Sequence, residues 1–235
     1  MWTMNAKSHS LNANLNSSKW FGGRNGRPLS SVSKFDSSRA VWSETAPLIR
    51  EEMGISCVAV KDKIYLCGGS NYEGQSNELQ VFDTKTQTLK ILKPMEYERT
   101  NCGVAFLNNF LYVAGGFDLA DGHKNSVEKY NIAIDEWEEV APMDKKRSDF
   151  SLVELNGKLY ALGGIIGEDG GEISQSNQFP NTVECYDPEK NRWEYKSCMK
   201  KAKGSLNAVS FNNKIYAVGY EIFEVYDPQT NSWEE

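Results

Sequence analysis

A fixed distance between an apolar anchor, usually tryptophan, and the glycine that ends a later strand constrains this sequence more than any other feature. The distance is 26 residues in four places: Trp42 to Gly68, Leu89 to Gly115, Trp137 to Gly163 and Trp193 to Gly219. Pairs of apolar residues seven positions apart also recur, at Phe35/Trp42, Phe82/Leu89, Tyr130/Trp137, Tyr186/Trp193 and Tyr226/Trp233. Self-similarity with a period near 47 residues is typical of radial or stacked repeats. It favours a binding platform over a single enzyme-like site.

One interval of the repeat varies in length. From the first glycine of each strand-ending pair to the next aromatic residue, the chain runs for 13, 14, 15 and 23 residues, and for only 7 after the single Gly219. Because insertions that fall in one equivalent loop map to one face of a repeat protein, this loop predicts the binding face.

Composition narrows the possible partners and the location. The net charge is −6 and the pI is about 5.2, so the basic footprint of a nucleic-acid-binding protein is missing. No run of 18 apolar residues predicts a membrane span, and Met1 to Ser18 lacks the apolar core of a signal peptide. Five cysteines without CxxC spacing indicate reduced thiols. We therefore expect a cytoplasmic location, with the nucleus or the cytoskeleton as alternatives, and no nucleic-acid or membrane partner.

Each repeat unit predicts four short strands. The first two are nearly continuous in apolar residues, as in Leu152–Leu155 and Leu159–Leu162, which predicts burial on both faces. The third alternates apolar and polar residues, as in Val183–Tyr186, so one of its sides is expected to be wetter. A turn such as Asp187–Asn191 leads to the fourth strand, which carries the tryptophan. No helical periodicity is sustained, so each unit is predicted to be a four-stranded antiparallel meander.

A sheet with apolar residues on both sides has to stack on copies of itself. Radial stacking gives an all-β β-propeller, in which the first strand of each blade lines a central channel. A β-sandwich would not impose five similar units. The sequence therefore predicts a propeller.

The repeated pattern resembles the kelch repeat. It consists of Gly-Gly, then an aromatic residue followed by Asp or Asn, then Trp seven residues beyond that aromatic, and it extends from about Trp20 to the C-terminus. The phrases Val140–Met143 and Val183–Pro188 resemble in particular the kelch domain of the BTB-kelch adaptors of cullin-type ubiquitin ligases. The resemblance implies a propeller that binds proteins.

The pattern predicts four full blades and one partial blade, in a ring that is fragmentary or imperfectly closed. Nothing before Trp20 resembles the first strand of a blade, and residues 1–19 form an Asn/Ser-rich tail that is expected to be disordered. In the last unit Tyr220 follows Gly219, and the variable loop shrinks to a tight hairpin. The expected boundaries are a partial blade at 20–48 and blades at 49–95, 96–143, 144–199 (with the long loop) and 200–235 (with the shortened loop).

The variable loop, between strands two and three, should share an end of the blade with the connection to the next blade. In kelch adaptors a basic residue just before the first strand often faces a peptide ligand, and this place holds Glu52, Arg99, Arg147 and Lys203. Because an arginine fork binds carboxylates, an acidic or polar peptide is a plausible ligand. The alternative is that these arginines pair with loop acids such as Asp118, Asp149 or Glu168. The predicted partner-binding residues are Asn71, Tyr72, Arg99, Phe117, Asp118, Arg147, Ser148 and Lys203.

The leading functional hypothesis is a protein-interaction module. By resemblance it would be the substrate-recognition domain of a ubiquitin-ligase adaptor that contacts its cullin only through a BTB domain, which this sequence lacks. The alternatives are an actin-binding cytoskeletal kelch protein and a kelch-fold enzyme. Only His9 and His123 are present, so neither a histidine triad nor a multi-histidine metal site is expected. No catalysis, cofactor or metal is predicted.

Overall fold

All regular secondary structure in the described part of the chain is β. The computed structural model describes residues 9–11, 17–21, 28–36, 38–45, 47–167, 181–201, 206–219 and 222–235, and the side chains of 28–36 onward except that of Ile222. The chain divides into two compact units, Met1–Asn101 (unit 1) and Cys102–Glu235 (unit 2). Within the described residues there is no helix that could span a membrane.

Unit 1 contains two four-stranded antiparallel sheets, blade 1 and blade 2, each with its strands in sequence order. Blade 1 consists of β1 (His9–Leu11), β2 (Ser17–Phe21), β3 (Val32–Asp36) and β4 (Val41–Glu44). Blade 2 consists of β5 (Ser56–Val60), β6 (Lys63–Cys67), β7 (Leu79–Asp83) and β8 (Thr88–Ile91). The first strands of the two blades, β1 and β5, lie beside each other.

Unit 2 contains three such sheets, and two small hairpin-like pairs at their loops. Blade 3 consists of β9 (Gly103–Leu107), β10 (Phe110–Ala114), β13 (Val127–Asn131) and β14 (Glu136–Val140), with β11 (Phe117–Asp118) paired to β12 (Gly122–His123). Blade 4 consists of β16 (Ser151–Leu155), β17 (Lys158–Leu162), β19 (Val183–Asp187) and β20 (Arg192–Lys196), preceded by β15 (Arg147–Ser148), which pairs with β18 (Ile165–Ile166). Blade 5 consists of β21 (Asn207–Phe211), β22 (Lys214–Gly219), β23 (Ile222–Asp227) and β24 (Ser232–Glu234).

Blade 1 differs from the prediction of a partial sheet after a disordered tail. His9–Leu11 and Ser17–Phe21 form its first two strands, with His9 opposite Trp20. A strand ladder is made by backbone N–H and C=O groups, so a polar Asn/Ser-rich segment can complete it without an apolar pattern. The rest of residues 1–19, most of the long loop at 168–180 and the predicted tight hairpin at Tyr220 lie outside the described residues.

The seven-residue interval is explained by strand register. Its two members lie directly opposite each other across the hairpin of strands three and four, as Tyr130 does with Trp137 and Tyr186 with Trp193. The ring centroids of these two pairs are 4.9 Å and 5.2 Å apart. Adjacent aromatic pairs stabilise a hairpin beyond their buried area. The interval therefore reports a cross-strand contact that every blade repeats.

The core of unit 2 lies between neighbouring blades. On β17, Leu159 and Ala161 pack in the cluster shared with blade 3, whereas Tyr160 and Leu162 pack in the cluster shared with blade 5. Successive side chains of a strand point to opposite faces, so a strand between two blades needs apolar residues at every position. The prediction of two-faced burial is confirmed for this strand.

Hydrogen bonds hold the fourth strands of blades 4 and 5 to the residues that follow the fourth strand of the preceding blade. The Trp193 indole N–H donates to the carbonyl oxygen of Ala141 at 2.9 Å, and the Asn191 Oδ1 accepts the N–H of the same residue at 2.9 Å. Trp233 and Asn231 make the same two bonds to Ser197, at 2.9 Å and 3.1 Å. We call this arrangement the Trp–Asn clasp; it links blade 4 to blade 3 and blade 5 to blade 4.

Candidate protein-binding surface

In each unit the variable loops lie against the connections between blades, as the strand order predicts. In unit 2, Arg147 on the connection to blade 4 donates its N–H to the carbonyl of Lys124 at 3.0 Å, and β15 pairs with β18. In unit 1, the Arg99 N–H donates to the carbonyl of Ser76 at 3.1 Å. We call residues 116–124, 144–150 and 165–167 the loop surface of unit 2, and residues 69–78 and 97–101 the loop surface of unit 1.

The Gly-Gly pairs allow these connections to approach the blade closely. Gly68 has a φ of +61°, and a Cβ on it would lie 2.1 Å from the Arg99 carbonyl oxygen. The Gly69 N–H donates to the same oxygen at 3.0 Å. Its φ of +122° is a conformation that residues with a side chain rarely adopt, and a Cβ on it would lie 3.0 Å from Ile55. Gly115 and Gly116 repeat the arrangement at the Arg147 carbonyl. Only glycine fits a left-handed backbone that touches a neighbouring chain in this way.

Arg147 is completely buried, with an exposed fraction of 0%. One Nη atom donates to the carbonyl oxygen of Gly163 at 2.9 Å, and the other lies 2.6 Å from the Glu184 carboxylate and 3.2 Å from the Thr182 hydroxyl. Glu184 is buried as well, and it also accepts the Asp144 N–H at 2.6 Å. The guanidinium therefore links the connection to the second and third strands of blade 4.

This geometry corrects the prediction that Arg99 and Arg147 face a ligand. Arg99 is also 0% exposed, and its guanidinium carbon lies 5.6 Å from the centroid of the Tyr97 ring. A guanidinium that is buried in the protein cannot bind a partner's carboxylate at the surface. The alternative, an ion pair with an acid of the same chain, holds for Arg147, and the acid is Glu184 on the third strand. Of the loop acids that were named, Glu168 lies outside the described residues.

The third strands are also more deeply buried than expected. The polar residue at their second position was predicted to lie on a wetter side, yet Gln80, Glu128, Glu184 and Glu224 are all buried. Glu224 accepts the backbone N–H groups of Lys200 at 2.7 Å and Lys201 at 2.9 Å. Glu184 and Glu224 thus hold the connections through backbone N–H groups, and the recurrence of glutamate at this position in blades 3, 4 and 5 was the sequence signal for that role.

Blade 2 replaces the arginine with Glu52 and the third-strand acid with Gln80. Both are buried, and the Gln80 Nε2 lies 3.5 Å from the Glu52 carboxylate and 3.2 Å from that of Glu78. Arg50 lies 3.2 Å from Glu78 on its other side. Burial, with the negative charge of Glu78, outweighs the attraction of Arg50 and raises the pKa of Glu52 to about 7. The charge of Glu52 therefore changes in the neutral pH range.

Two of the predicted site residues, Phe117 and Asp118, form strand β11 and make contacts inside the β11–β12 hairpin. Asp118 is buried and forms an ion pair with Lys124, which is buried too, and it accepts the Asp121 N–H at 2.6 Å. Burial opposes ionisation of Asp118, but its bonds with Lys124 and Asp121 outweigh burial and lower its pKa. The Phe117 ring lies 5.2 Å from that of His123, whose pKa burial lowers. Asp118 therefore supports the hairpin and does not face a partner.

The exposed large hydrophobic residues of the two loop surfaces lie at loop tips. In unit 1 Tyr72 is 76% exposed, in a turn in which the Asn71 Oδ1 accepts the Glu73 N–H at 2.7 Å. In unit 2 Leu119 is 77% exposed at the tip of the β11–β12 hairpin. Tyr72 is thus a predicted residue that the structure leaves accessible, with Asn71 shaping its turn. Leu119 was missed, although Asp118 followed by Gly122 indicated a hairpin whose tip would carry it.

The remaining predicted residues do not reach the surface or cannot be placed. Ser148 is buried in β15, and Phe117 is half-buried beside His123. Lys203 lies outside the described residues. In the part of the chain that the structure describes, no group of three or more His, Cys, Asp or Glu side chains is arranged to hold a metal ion.

Comparison with known proteins agrees with this architecture. The family model described as the KLHDC2/KLHL20/DRC7 Kelch-repeats domain matches residues 4–164 and 54–235. The solved structure titled "Structure of YjhT" superposes with a TM-score of 0.80 at 13% identity, over 93% of this chain and 80% of that chain, which shows a shared fold.

Curated relatives match over part of the chain. Kelch-like protein 7 of Rattus norvegicus is 32% identical over 92 residues, 39% of this chain and 16% of that protein. Kelch-like protein 23 of Homo sapiens is 28% identical over 91 residues, 39% of this chain and 15% of that protein. Kelch repeat and BTB domain-containing protein 12 of Danio rerio is 30% identical over 95 residues, 37% of this chain and 15% of that protein. The chain thus spans about one sixth of the length of these relatives.

These matches and the blade architecture support a protein-interaction propeller, and they confirm the predicted all-β kelch fold. The chain belongs to the family of kelch-repeat domains.

Proposed function

We propose that the loop surfaces bind a protein or peptide partner, and that the chain is the substrate-recognition domain of a cullin-RING ubiquitin-ligase adaptor. The observation that carries the binding proposal is the pair of exposed apolar tips, Tyr72 and Leu119, on loops that are held by hydrogen bonds and ion pairs below them. A loop that is already ordered loses little conformational freedom on binding, so its apolar side chain contributes most of its buried area to affinity.

The proposed ligand differs from the acidic peptide that the sequence suggested. With Arg99 and Arg147 buried, the most exposed large hydrophobic side chains at the tips are Tyr72 and Leu119, with the exposed acids Glu73 and Asp121 beside them. Tyrosine is among the residues that are enriched at the energetic centres of protein interfaces, and Leu119 adds exposed apolar area. We therefore expect a partner segment with an apolar anchor.

The adaptor role is supported by the names of the relatives, among them two kelch-like proteins and one named for kelch repeats and a BTB domain. The cullin contact would come from a BTB domain, so this chain would supply only the recognition of the substrate. Catalysis has no part in this proposal.

Affinity capture with matched variants tests the binding surface. The chain carrying Leu119→Ser or Tyr72→Ser is compared with Ile134→Ser, which alters a similarly exposed residue in the β13–β14 turn, at the other end of β13 from the loop surface. We expect the captured partner to bind at least about tenfold more weakly to one tip variant and unchanged to the control. A partner that binds all three variants equally would overturn the assignment of the surface.

The adaptor role has a separate readout. The captured partner should accumulate in cells, and lose its ubiquitin chains, when cullin ligases are inactivated. If the level and the ubiquitination of the partner do not change, the adaptor role is wrong, whereas the proposal of the binding surface is unaffected. Capture of actin filaments that depends on the same tips would favour the cytoskeletal alternative.

A further inference from the structure

A buried group of polar side chains lies where blade 2 meets the segment that leads into it. Glu52 and Gln80 are each only 2% exposed. The Gln80 Nε2 lies 3.2 Å from the Glu78 carboxylate and 3.5 Å from that of Glu52. Arg50, whose side chain is half exposed, pairs with Glu78. We call Glu52, Glu78 and Gln80 the acid cluster of unit 1.

The acid cluster has more hydrogen-bond acceptors than donors. Among the described residues, the buried Gln80 Oε1 has no hydrogen-bond partner. An ionised carboxylate can only accept hydrogen bonds, whereas a protonated Glu52 adds an O–H donor. In blade 4 the corresponding positions hold the buried guanidinium of Arg147 beside Glu184, so the charge there is balanced without a proton. The acid cluster therefore favours a protonated Glu52.

The groups that face Glu52 explain why its pKa lies near neutrality. Glu78, from the loop before β7, acts on it with a negative charge, and Arg50, from the same segment as Glu52, acts with a positive charge. Two further elements contribute neutral groups, because the Leu29 carbonyl accepts the Glu52 N–H at 3.1 Å and β7 offers the amide of Gln80. Burial and Glu78 together outweigh Arg50, which raises the pKa of Glu52 to about 7.

Glu52 lies directly against the loop that carries Tyr72. A Cβ on Gly69 would lie 3.6 Å from the Glu52 carboxylate. The next residue of each segment joins the two, because Met53 and Ser70 exchange two backbone hydrogen bonds, at 2.9 Å and 2.8 Å. Since Tyr72 follows Ser70 by two residues, its position depends on this contact.

We propose that the contact between Met53 and Ser70 is a pH-sensitive switch, which is closed while Glu52 is protonated and opens when Glu52 ionises. Ionisation places a second negative charge beside Glu78 in the interior, and water reaches that charge when residues 49–53 separate from the loop. A rise in pH through neutrality therefore favours the open form. Under the function proposed above, on which this consequence rests, a partner that needs the ordered Tyr72 turn binds in proportion to the closed fraction.

Hydrogen exchange of the intact chain, followed by mass spectrometry, tests this switch without a partner. The protection of the Met53 and Ser70 amides is compared at about pH 5.5 and about pH 8, on either side of the pKa of Glu52, after correction for the intrinsic effect of pH on exchange. Glu52→Gln keeps the shape of the protonated side chain and cannot ionise. The matched control, Glu51→Gln, removes an exposed carboxylate from the same segment. Amides of β6, in the same blade, serve as an internal reference.

In the unmodified chain and in Glu51→Gln, the protection should fall at least about tenfold between the two pH values, because the open form releases the Glu52 proton more readily than the closed form. In Glu52→Gln the protection should be the same at both. Equal protection in the unmodified chain, or an equal fall in Glu52→Gln, would overturn the proposal. A fall of the same size in β6 would also overturn it, since blade 2 would then open as a whole. If Tyr72 binds no partner, the proposed function fails at this loop, while the exchange measurement still decides the switch.

Discussion

The buried ion pair of Arg147 and Glu184 gives the sharpest test of how the loop surface of unit 2 is held. Glu184→Gln removes the counter charge of a guanidinium that has no exposure to solvent. Leaving a buried charge uncompensated lowers the free energy of unfolding by about 3–5 kcal/mol. Arg147→Met should cost less, about 2–3 kcal/mol, because Glu184 still accepts the backbone N–H groups of Asp144 and Lys145.

Urea and thermal unfolding, followed by tryptophan fluorescence, measure these losses. For a chain of this length 1 kcal/mol corresponds to roughly 2–4 °C, so Glu184→Gln should lower Tm by about 10 °C. The double variant should lose clearly less than the sum of the two single variants, because both remove the same interaction. The matched control is Arg192→Met, which breaks the exposed pair with Glu194 on the same blade and should cost less than about 1 kcal/mol.

Two results would refute this reasoning. A Glu184→Gln variant that is no less stable than Arg192→Met would mean that the buried charge is compensated elsewhere. Fully additive losses would mean that the two side chains do not stabilise the fold through each other.

The other predictions concern single positions. Glu52 has a pKa of about 7 in the folded chain, against an ordinary value of 4.5, so the folded state binds the proton more tightly than the unfolded state. The contribution of Glu52 to stability is therefore greatest below about pH 4.5, and it falls by roughly 3 kcal/mol as the pH rises above 7. Urea unfolding of the chain and of Glu52→Gln across this range should show a difference that shrinks or reverses with rising pH, and a constant difference would contradict the assignment. Gly68→Ala should lose more than about 1 kcal/mol, since its Cβ would meet a carbonyl oxygen at 2.1 Å, whereas Gly157→Ala, with open space around it, should lose less. Asn191→Ala should lose about 1–3 kcal/mol in thermal unfolding because its Oδ1 accepts both a tyrosine hydroxyl and a backbone N–H; an unchanged Tm would show that the clasp does not hold the blades.

Local features of the fold could be predicted from the sequence because they recur with short spacing. The pairing of Tyr186 with Trp193 follows from a seven-residue hairpin. Asp187 was expected to form the turn between them, and its Oδ1 accepts the Glu189 N–H at 3.1 Å. Alternate burial on β17 follows from its unbroken apolar pattern. In each case the partners are near in sequence or share one strand.

The site residues were harder to predict because their partners are distant in sequence. Arg147 and Glu184 are 37 residues apart, and nothing local to either one shows that they meet. An arginine before a strand suggests an exposed ligand contact, whereas the recurring acid at the second position of the third strand indicates an internal partner only once the strands are aligned in space. The strand at His9–Leu11 escaped prediction for another reason, since backbone pairing does not depend on an apolar pattern, whereas Trp20-Phe21 had already indicated the end of the second strand.

The Glu52 and Gln80 pair of blade 2 limits how the sequences of the blades can diverge from one another. Passing from an arginine with a glutamate to Glu52 with Gln80 takes two substitutions, and either order of events crosses an unfavourable intermediate. An intermediate with arginine and glutamine would bury a guanidinium without a counter charge. An intermediate with two glutamates would bury two carboxylates beside each other. The two positions should therefore change together through the history of the domain, and a lineage that has made the exchange in one blade is kept there by the same barrier.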